Sequence, residues 1–352
     1  MDNKENWKLF FGDNEDIIRI DKISYSNILN TFKKGFSDVW AWTAVDFSKD
    51  TVGWDKIDEV GKDIFIKTNG YQTLMDSGVV GIYNYLAIAA SNPELKIAYQ
   101  YVAQNESIHA GSYSYGISQM FGYKAEEMID IANTDPFIKS RMNNENDFEK
   151  EFIDSIIRKE EQNFEIVFKV IVATYLLEQI KFPFSFYTTW NINRVYGNAI
   201  QGFSQLLKLI AQDELDFHVV LNKHVLKILR KEKRQGFSDV WDEKFIYDYV
   251  KTVVKEEKEW SKYLRSNGDI QGFTENITDH LIEYFADKAL KNIGLESIYK
   301  RETNDTIDWF NAYRKIKDQN AALQESSNVR YNKGVLQNDI ASNLSTLKKL
   351  YT

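Results

Sequence analysis

Apolar residues recur every three or four positions along most of the chain. The stretches 79–125 and 146–193 hold that spacing longest, and it dominates from about 55 to 300. Such spacing lays an apolar stripe along one face of a helix. It predicts an all-α fold made of long helices. Two polar interruptions, TDPFIKSRMNNEND (134–147) and RSNGDIQGF (265–273), are predicted breaks. Only 3 prolines and 17 glycines occur in 352 residues, so little else punctuates the helices. Pro93 follows Asn92 and Pro136 follows Asp135, each a capping residue ahead of a first-turn proline. Pro183 lies inside an apolar run, where it predicts a kink or a local bulge. Residues 1–30 read as an irregular arm and 31–320 as one helical domain. Residues 321–352, polar and without core periodicity, read as a flexible tail.

Composition narrows the function classes. A hydrophobic content of 43% supports a large core. The net charge of −8 disfavours a nucleic-acid-binding surface. The polar start MDNKENWKLFFG is unlike a secretory leader, and no run of 18 apolar residues predicts a membrane span. A cytoplasmic protein is expected. With no cysteine, disulfides, thiolate metal sites and thiol chemistry are excluded.

Candidate chemistry sits on the apolar helical faces. In QNESIHAGSYSYG (104–116), a helix turning ~100° per residue places His109 about 60° from Glu106, and brings Tyr113 back to within about 20° of it. Tyr99, Val102, Ala110 and Ile117 share that face, which predicts an interior position. A buried Glu is costly unless paired or metal-bound. By itself, Glu-x-x-His also describes an ordinary core or surface pair. A second stretch, IAQDELDFH (210–218), sets Glu214 and His218 four apart. Two further acids interrupt apolar runs: Asp76 in YQTLMDSGVVGIYNYL and Glu178 in IVATYLLEQIKFPFSF. Asp76, followed by Ser-Gly, also suits a cap or a solvent-facing position. The order is acid, Glu/His pair, acid, Glu/His pair. Its spacing lets a helix, a turn and a return bring each acid level with its pair. A four-helix bundle collects ligands for a dinuclear site in this way. Carboxylates with one imidazole per metal suit iron or manganese better than zinc or copper.

With these motifs the chain resembles the small, radical-bearing subunit of class I ribonucleotide reductase, closest to the aerobic enterobacterial and T-even phage type. The likeness rests on QTLMDS (72–77), ESIHAGSY (106–113), LEQIKF (177–182) and GNA…LIAQDE (197–214) in order. It extends to Phe10, Phe11, Gly12, Arg19, Asp21 and Tyr25 in the arm, and to EKEWSKYLRSNGDIQGF (257–273) and KNIGLE (291–296). The resemblance implies a ferritin-like helical bundle holding two iron ions, with manganese an alternative. Asp76, Glu106 and His109 would hold one ion and Glu178, Glu214 and His218 the other, with Glu106 and Glu214 bridging. Tyr113 would carry a radical formed with O₂, shielded by Phe182, Phe186 and Ile210. Trp40 would pass it outward, linked through Asp213 to His109, with Trp42 a competitor for that role. Tyr331 would be the last relay in the tail, near Glu325. The implied partners are a second copy of the chain and the large catalytic subunit, which reduces ribonucleoside diphosphates. Other readings are a different di-metal oxidase or monooxygenase on this fold, or a metal-free helical interaction bundle.

Two features depart from the family pattern. Glu214 and His218 stand one residue further apart than the usual Glu-x-x-His. A regular helix would put His218 about 40° to the other side of Glu214, and a single π-bulge would absorb the extra residue. Asp216 is a competing ligand, two residues on and so pointing away. The chain also ends STLKKLYT, where the family tail ends in acidic and apolar residues.

Overall fold

The computed structural model describes residues 9–12, 18, 22–145, 147–157, 164–234 and 240–315. Every extended element among them is helical; pairing of the β type is confined to isolated bridges, such as Phe10 with Ala90. The helices run α1 Ser26–Ser37, α2 Ser48–Gly53, α3 Glu59–Ala89, α4 Pro93–Phe121, α5 Ala125–Thr134, α6 Pro136–Glu145 and α7 Asp147–Ile157. They continue with α8 Phe164–Leu176, α9 Phe182–Val195, α10 Gln201–Asp213, α11 Val219–Arg234, α12 Glu243–Leu264, α13 Glu275–Asn292 and α14 Asp305–Tyr313. None is long and apolar enough to cross a membrane.

Four rods make the core. The three residues between α3 and α4 force an antiparallel pair. Asn92 starts α4 by accepting a hydrogen bond from the Leu95 N–H, ahead of Pro93. The third rod is α8 and α9, joined by a π-helical turn, Leu177–Lys181. The fourth is α10 and α11, joined by a second π turn, Glu214–His218. The first π turn abuts Pro183, which has no N–H to return to the preceding turn, so the ladder opens there. The second absorbs the extra residue between Glu214 and His218. Helix α3 packs on α4 and α9, α10 packs on α4 and α9, α11 on α8, and the two π turns touch. This is a ferritin-like bundle.

The predicted break at 265–273 is a turn region; at 134–147 the helices do change, α5 ending at Thr134 and α7 starting at Asp147, but the stretch between is itself helical. Helix α6 spans most of it. Asp135 caps it, accepting from the Phe137 and Ile138 N–H groups. Its hold on the core comes from a few side chains rather than a stripe. Ile138 is fully buried, Phe137 stacks on Tyr263 with centroids 4.4 Å apart, and Arg141 pairs with buried Glu257. Arg141 also lies over the rings of Tyr71 and Trp260. A buried, paired cation over two aromatic faces looks polar in sequence and behaves as core.

Helix α10 has an unusual start. Its N-cap residue, Ile200, offers no side-chain hydrogen bond. Asp50, from α2, caps it from across the fold, accepting from Gly202 N–H and Phe203 N–H at 2.8 Å each. Gly202 is needed there because a Cβ would stand 2.7 Å from the Asp46 carbonyl oxygen.

Candidate metal centre

Asp76, Glu106, His109, Glu178, Glu214 and His218 are all fully buried. They form two overlapping groups whose ligand-type atoms lie within 4.8 Å of one another. The first is Asp76, Glu106, His109 and Glu214; the second is Glu106, Glu178, Glu214 and His218. Glu106 and Glu214 belong to both.

The atoms converge with little pairing. His109 Nδ1 lies 2.9 Å from Glu214 Oε1, 3.4 Å from Glu106 Oε2 and 3.9 Å from Asp76 Oδ2. His218 Nδ1 lies 2.8 Å from Glu214 Oε2, 3.2 Å from Glu106 Oε1 and 3.6 Å from Glu178 Oε2. Of these approaches, only His218–Glu214 has hydrogen-bond geometry. Both oxygens of Asp76 and of Glu106, with Glu178 Oε2, Glu214 Oε1 and His109 Nδ1, have no hydrogen-bond partner among the described residues. Buried carboxylate oxygens left so are costly unless a cation meets them. Four carboxylates and two neutral imidazoles carry a charge of −4, which two divalent cations would neutralise. The donor set therefore fits a dinuclear site.

Among protein groups alone, protons do this balancing. Burial, then the Glu106 charge, holds Asp76 well above the usual carboxylate range. Burial, then the Glu214 charge, does the same to Glu178. Burial opposes protonation of both histidines, but the surrounding carboxylates outweigh it and raise His109 and His218. Glu214 goes the other way, since His218 and the hydrogen bonds around it overcome burial. A metal ion entering would displace these protons.

Outside the cluster, Asp213 joins it to the surface layer. Its Oδ2 accepts from Trp40 Nε1 at 2.7 Å and lies 3.1 Å from His109 Nε2. Trp40 stacks on His109 with centroids 5.9 Å apart and planes 16° from parallel. With the proton on Nε2 shared with Asp213, the His109 Nδ1 lone pair faces the carboxylates. Trp42 is half exposed, its ring wedged against Gly111. Asp216 points away and pairs with Arg314. Phe182, Phe186 and Ile210 are fully buried, the two rings stacked at 5.9 Å. Tyr113 is fully buried, and its hydroxyl has no partner among the described residues. Burial, then the charges of Asp76, Glu214 and Glu106, raises it well above a normal phenol. Tyr331 and Glu325 of the tail, and Arg19 and Asp21 of the arm, lie outside the described residues.

The sequence reading missed the groups behind Glu178. Tyr83 donates to Glu178 Oε1 at 2.8 Å and accepts from Asn222 Nδ2 at 3.0 Å. The signal was present: Tyr83 is seven residues after Asp76, Tyr99 seven before Glu106, and Asn222 four after His218. All three repeat the faces of candidate ligands.

Comparisons with known proteins agree with this geometry. The family described as "Ribonucleotide reductase, small chain" matches residues 17–306. The ribonucleoside-diphosphate reductase subunit beta of Buchnera aphidicola subsp. Baizongia pistaciae is 27% identical, over 94% of this chain and 93% of that protein. The beta subunit of Haemophilus influenzae is 26% identical, over 95% and 94%. Among solved structures, the ribonucleotide reductase R2 subunit from Clostridium botulinum superposes with a TM-score of 0.79 at 20% identity, covering 88% of this chain and 95% of that one. Dimanganese(II)-NrdF from Streptococcus sanguinis superposes at 0.67 and 19% identity, covering 85% and 98%. These two show the same fold. By the family match, the chain belongs to the ribonucleotide reductase small-chain family.

Proposed function

We propose that this chain is the radical-storing small subunit of a class I ribonucleotide reductase. The observation that carries this reading is the convergence, from four rods, of fully buried carboxylate oxygens and imidazoles, most of the oxygens and His109 Nδ1 without a partner among the described residues. Asp76, Glu106 and His109 would hold one ion, and Glu178, Glu214 and His218 the other, with Glu106 and Glu214 shared. Iron and manganese both suit these ligands. Bound there, the metal pair would supply the O₂-driven one-electron oxidation of Tyr113. Tyr113 would give up one electron and its hydroxyl proton, both consumed as O₂ is reduced to water. Phe182, Phe186 and Ile210 keep its surroundings dry, which protects a stored radical from quenching.

Trp40, Asp213 and His109 form the outward path, the shared Asp213 oxygen holding both rings. We place the final relay on Tyr331, in the segment 321–352 that would dock to the large subunit. There the stored equivalent starts reduction of ribonucleoside diphosphates. Zero cysteines fit that division of labour, since the reducing thiols must come from elsewhere. A working homodimer in the cytoplasm completes the reading.

The test is reconstitution. Metal-free protein is given Fe(II) or Mn(II) and air, then examined for bound metal and by electron paramagnetic resonance. Two ions per chain and a tyrosyl signal are expected, with the signal lost and both ions kept in Tyr113→Phe. Metal without a radical would favour another di-metal oxidase on this fold. No bound metal would leave only the inert bundle.

A further inference from the structure

The carboxylate–histidine link through Asp213 braces one half of the centre. The other half is braced differently. Tyr99 O–H donates to Asn222 Oδ1 at 3.2 Å, Asn222 Nδ2 donates to Tyr83 at 3.0 Å, and Tyr83 O–H donates to Glu178 Oε1 at 2.8 Å. Every donor in this chain points toward Glu178, the arrangement in which successive hydrogen bonds polarise and strengthen one another. All four residues are fully buried. The Tyr83 and Tyr99 rings lie 5.7 Å apart, and Phe10 of the arm stacks on Tyr99 at 6.4 Å. No solvent-facing group is needed to complete the chain.

The consequence lies at Glu178. Its Oε1 is taken by the phenol, while its Oε2 is unpartnered and lies 3.6 Å from His218 Nδ1. A carboxylate held by one oxygen cannot rotate freely about its last bond. It presents a single, fixed oxygen to the centre. We propose that Tyr83, backed by Asn222 and Tyr99, is a positioning residue that fixes Glu178 as a one-oxygen ligand of the ion it shares with Glu214 and His218. This rests on the dinuclear reading above. Partners of this kind behind a ligand change metal affinity about 10- to 100-fold when removed.

The experiment titrates metal-free protein with Mn(II), reading free Mn(II) by its electron paramagnetic resonance signal, for the wild type, Tyr83→Phe and Tyr99→Phe. The wild type should take two ions. Tyr83→Phe should keep one at wild-type affinity and weaken the other about 10- to 100-fold. Tyr99→Phe should weaken that same ion by a smaller factor. Equal affinities for both ions in Tyr83→Phe, or a matched fall in both together with the melting temperature, would reduce Tyr83 to packing and overturn the proposal. Should Tyr83→Phe fail to fold, Tyr99→Phe decides: no selective weakening overturns it. A wild type that binds fewer than two ions would instead remove the dinuclear reading, before any variant is considered.

Discussion

Tyr113 and Tyr83 are the same residue type, both fully buried, and each stands seven residues beyond an acid of the cluster, on α4 and α3. Because those helices are antiparallel, the two tyrosines fall on opposite sides of the acids, each about 10 Å away along its helix axis. Their hydrogen bonding differs completely. Tyr83 donates to Glu178 and accepts from Asn222, while the Tyr113 hydroxyl is bonded to no described residue. Oxidising a phenol requires its proton to leave. From Tyr83 that proton would pass to Glu178 and neutralise a carboxylate the metal needs. From Tyr113, whose hydroxyl is bonded to no candidate ligand, it would leave with the oxygen being reduced. On the proposed reading, what separates the radical-bearing Tyr113 from Tyr83, which braces Glu178, is the acceptor and not burial.

Two variants crossed against two measurements press hardest on this contrast. Tyr113→Phe should abolish the tyrosyl signal completely and leave both metal affinities unchanged. Tyr83→Phe, at saturating metal, should still form the signal despite its selective loss of affinity. Spectra and titrations on the same samples decide it. A radical surviving in Tyr113→Phe, or one absent from fully loaded Tyr83→Phe, would collapse the distinction between the two layers.

The next largest effect belongs to Asp213→Asn. One oxygen, Oδ2, meets both Trp40 and His109. An amide oxygen in that place can still meet both rings, but it carries no charge and so holds the His109 Nε2 proton less strongly. We expect turnover with the large subunit to fall about 10- to 100-fold, the range for such outer partners. Trp40→Phe should keep the metal and the radical but lose turnover, whereas Trp42→Phe, on the half-exposed ring, should keep all three. Equal losses in the two tryptophan variants would break the assignment of Trp40 as the relay.

The candidate ligands were legible as an ordered pattern rather than singly: acids inside apolar helical faces are costly, and Asp76, Glu106, His109, Glu178, Glu214 and His218 recur at spacings that a bundle brings together. The four-residue gap from Glu214 to His218 even forecast the π turn seen at Glu214–His218. Pro183 likewise marked the neighbourhood of the Leu177–Lys181 turn, though not its span. What stayed hidden depends on contacts between distant segments. Helix α6 is anchored through Arg141 to Glu257, a partner more than a hundred residues away, and shows no stripe of its own. The Tyr99–Asn222–Tyr83 chain crosses three helices, and each member looks like an ordinary core residue until the helices are packed. Asp50 was invisible for the same reason, since its cap reaches across 152 residues.

Asp50 gives the smallest predicted effect and a control on the comparison. Helix α10 leads into the turn that carries Glu214, and Glu214 belongs to both halves of the centre, so loosening its start should favour neither tyrosine layer. Asp50→Asn keeps one acceptor and loses the other, leaving an N–H of Gly202 or Phe203 unpaired. The cost should be about 1–2 kcal/mol in denaturant unfolding, typical of a lost helix cap. Burial pushes the Asp50 carboxyl up to about 6, against the two backbone N–H bonds that oppose it. A group whose folded value lies above its unfolded one stabilises the fold fully below the unfolded value, here 3.8, and loses that contribution as pH rises through about 6. The stability gap between wild type and Asp50→Asn should therefore be widest near pH 4 and narrow above pH 6. A gap that widens with pH would mean that the α10 N-terminus holds Asp50 ionised throughout, with its dipole outweighing burial.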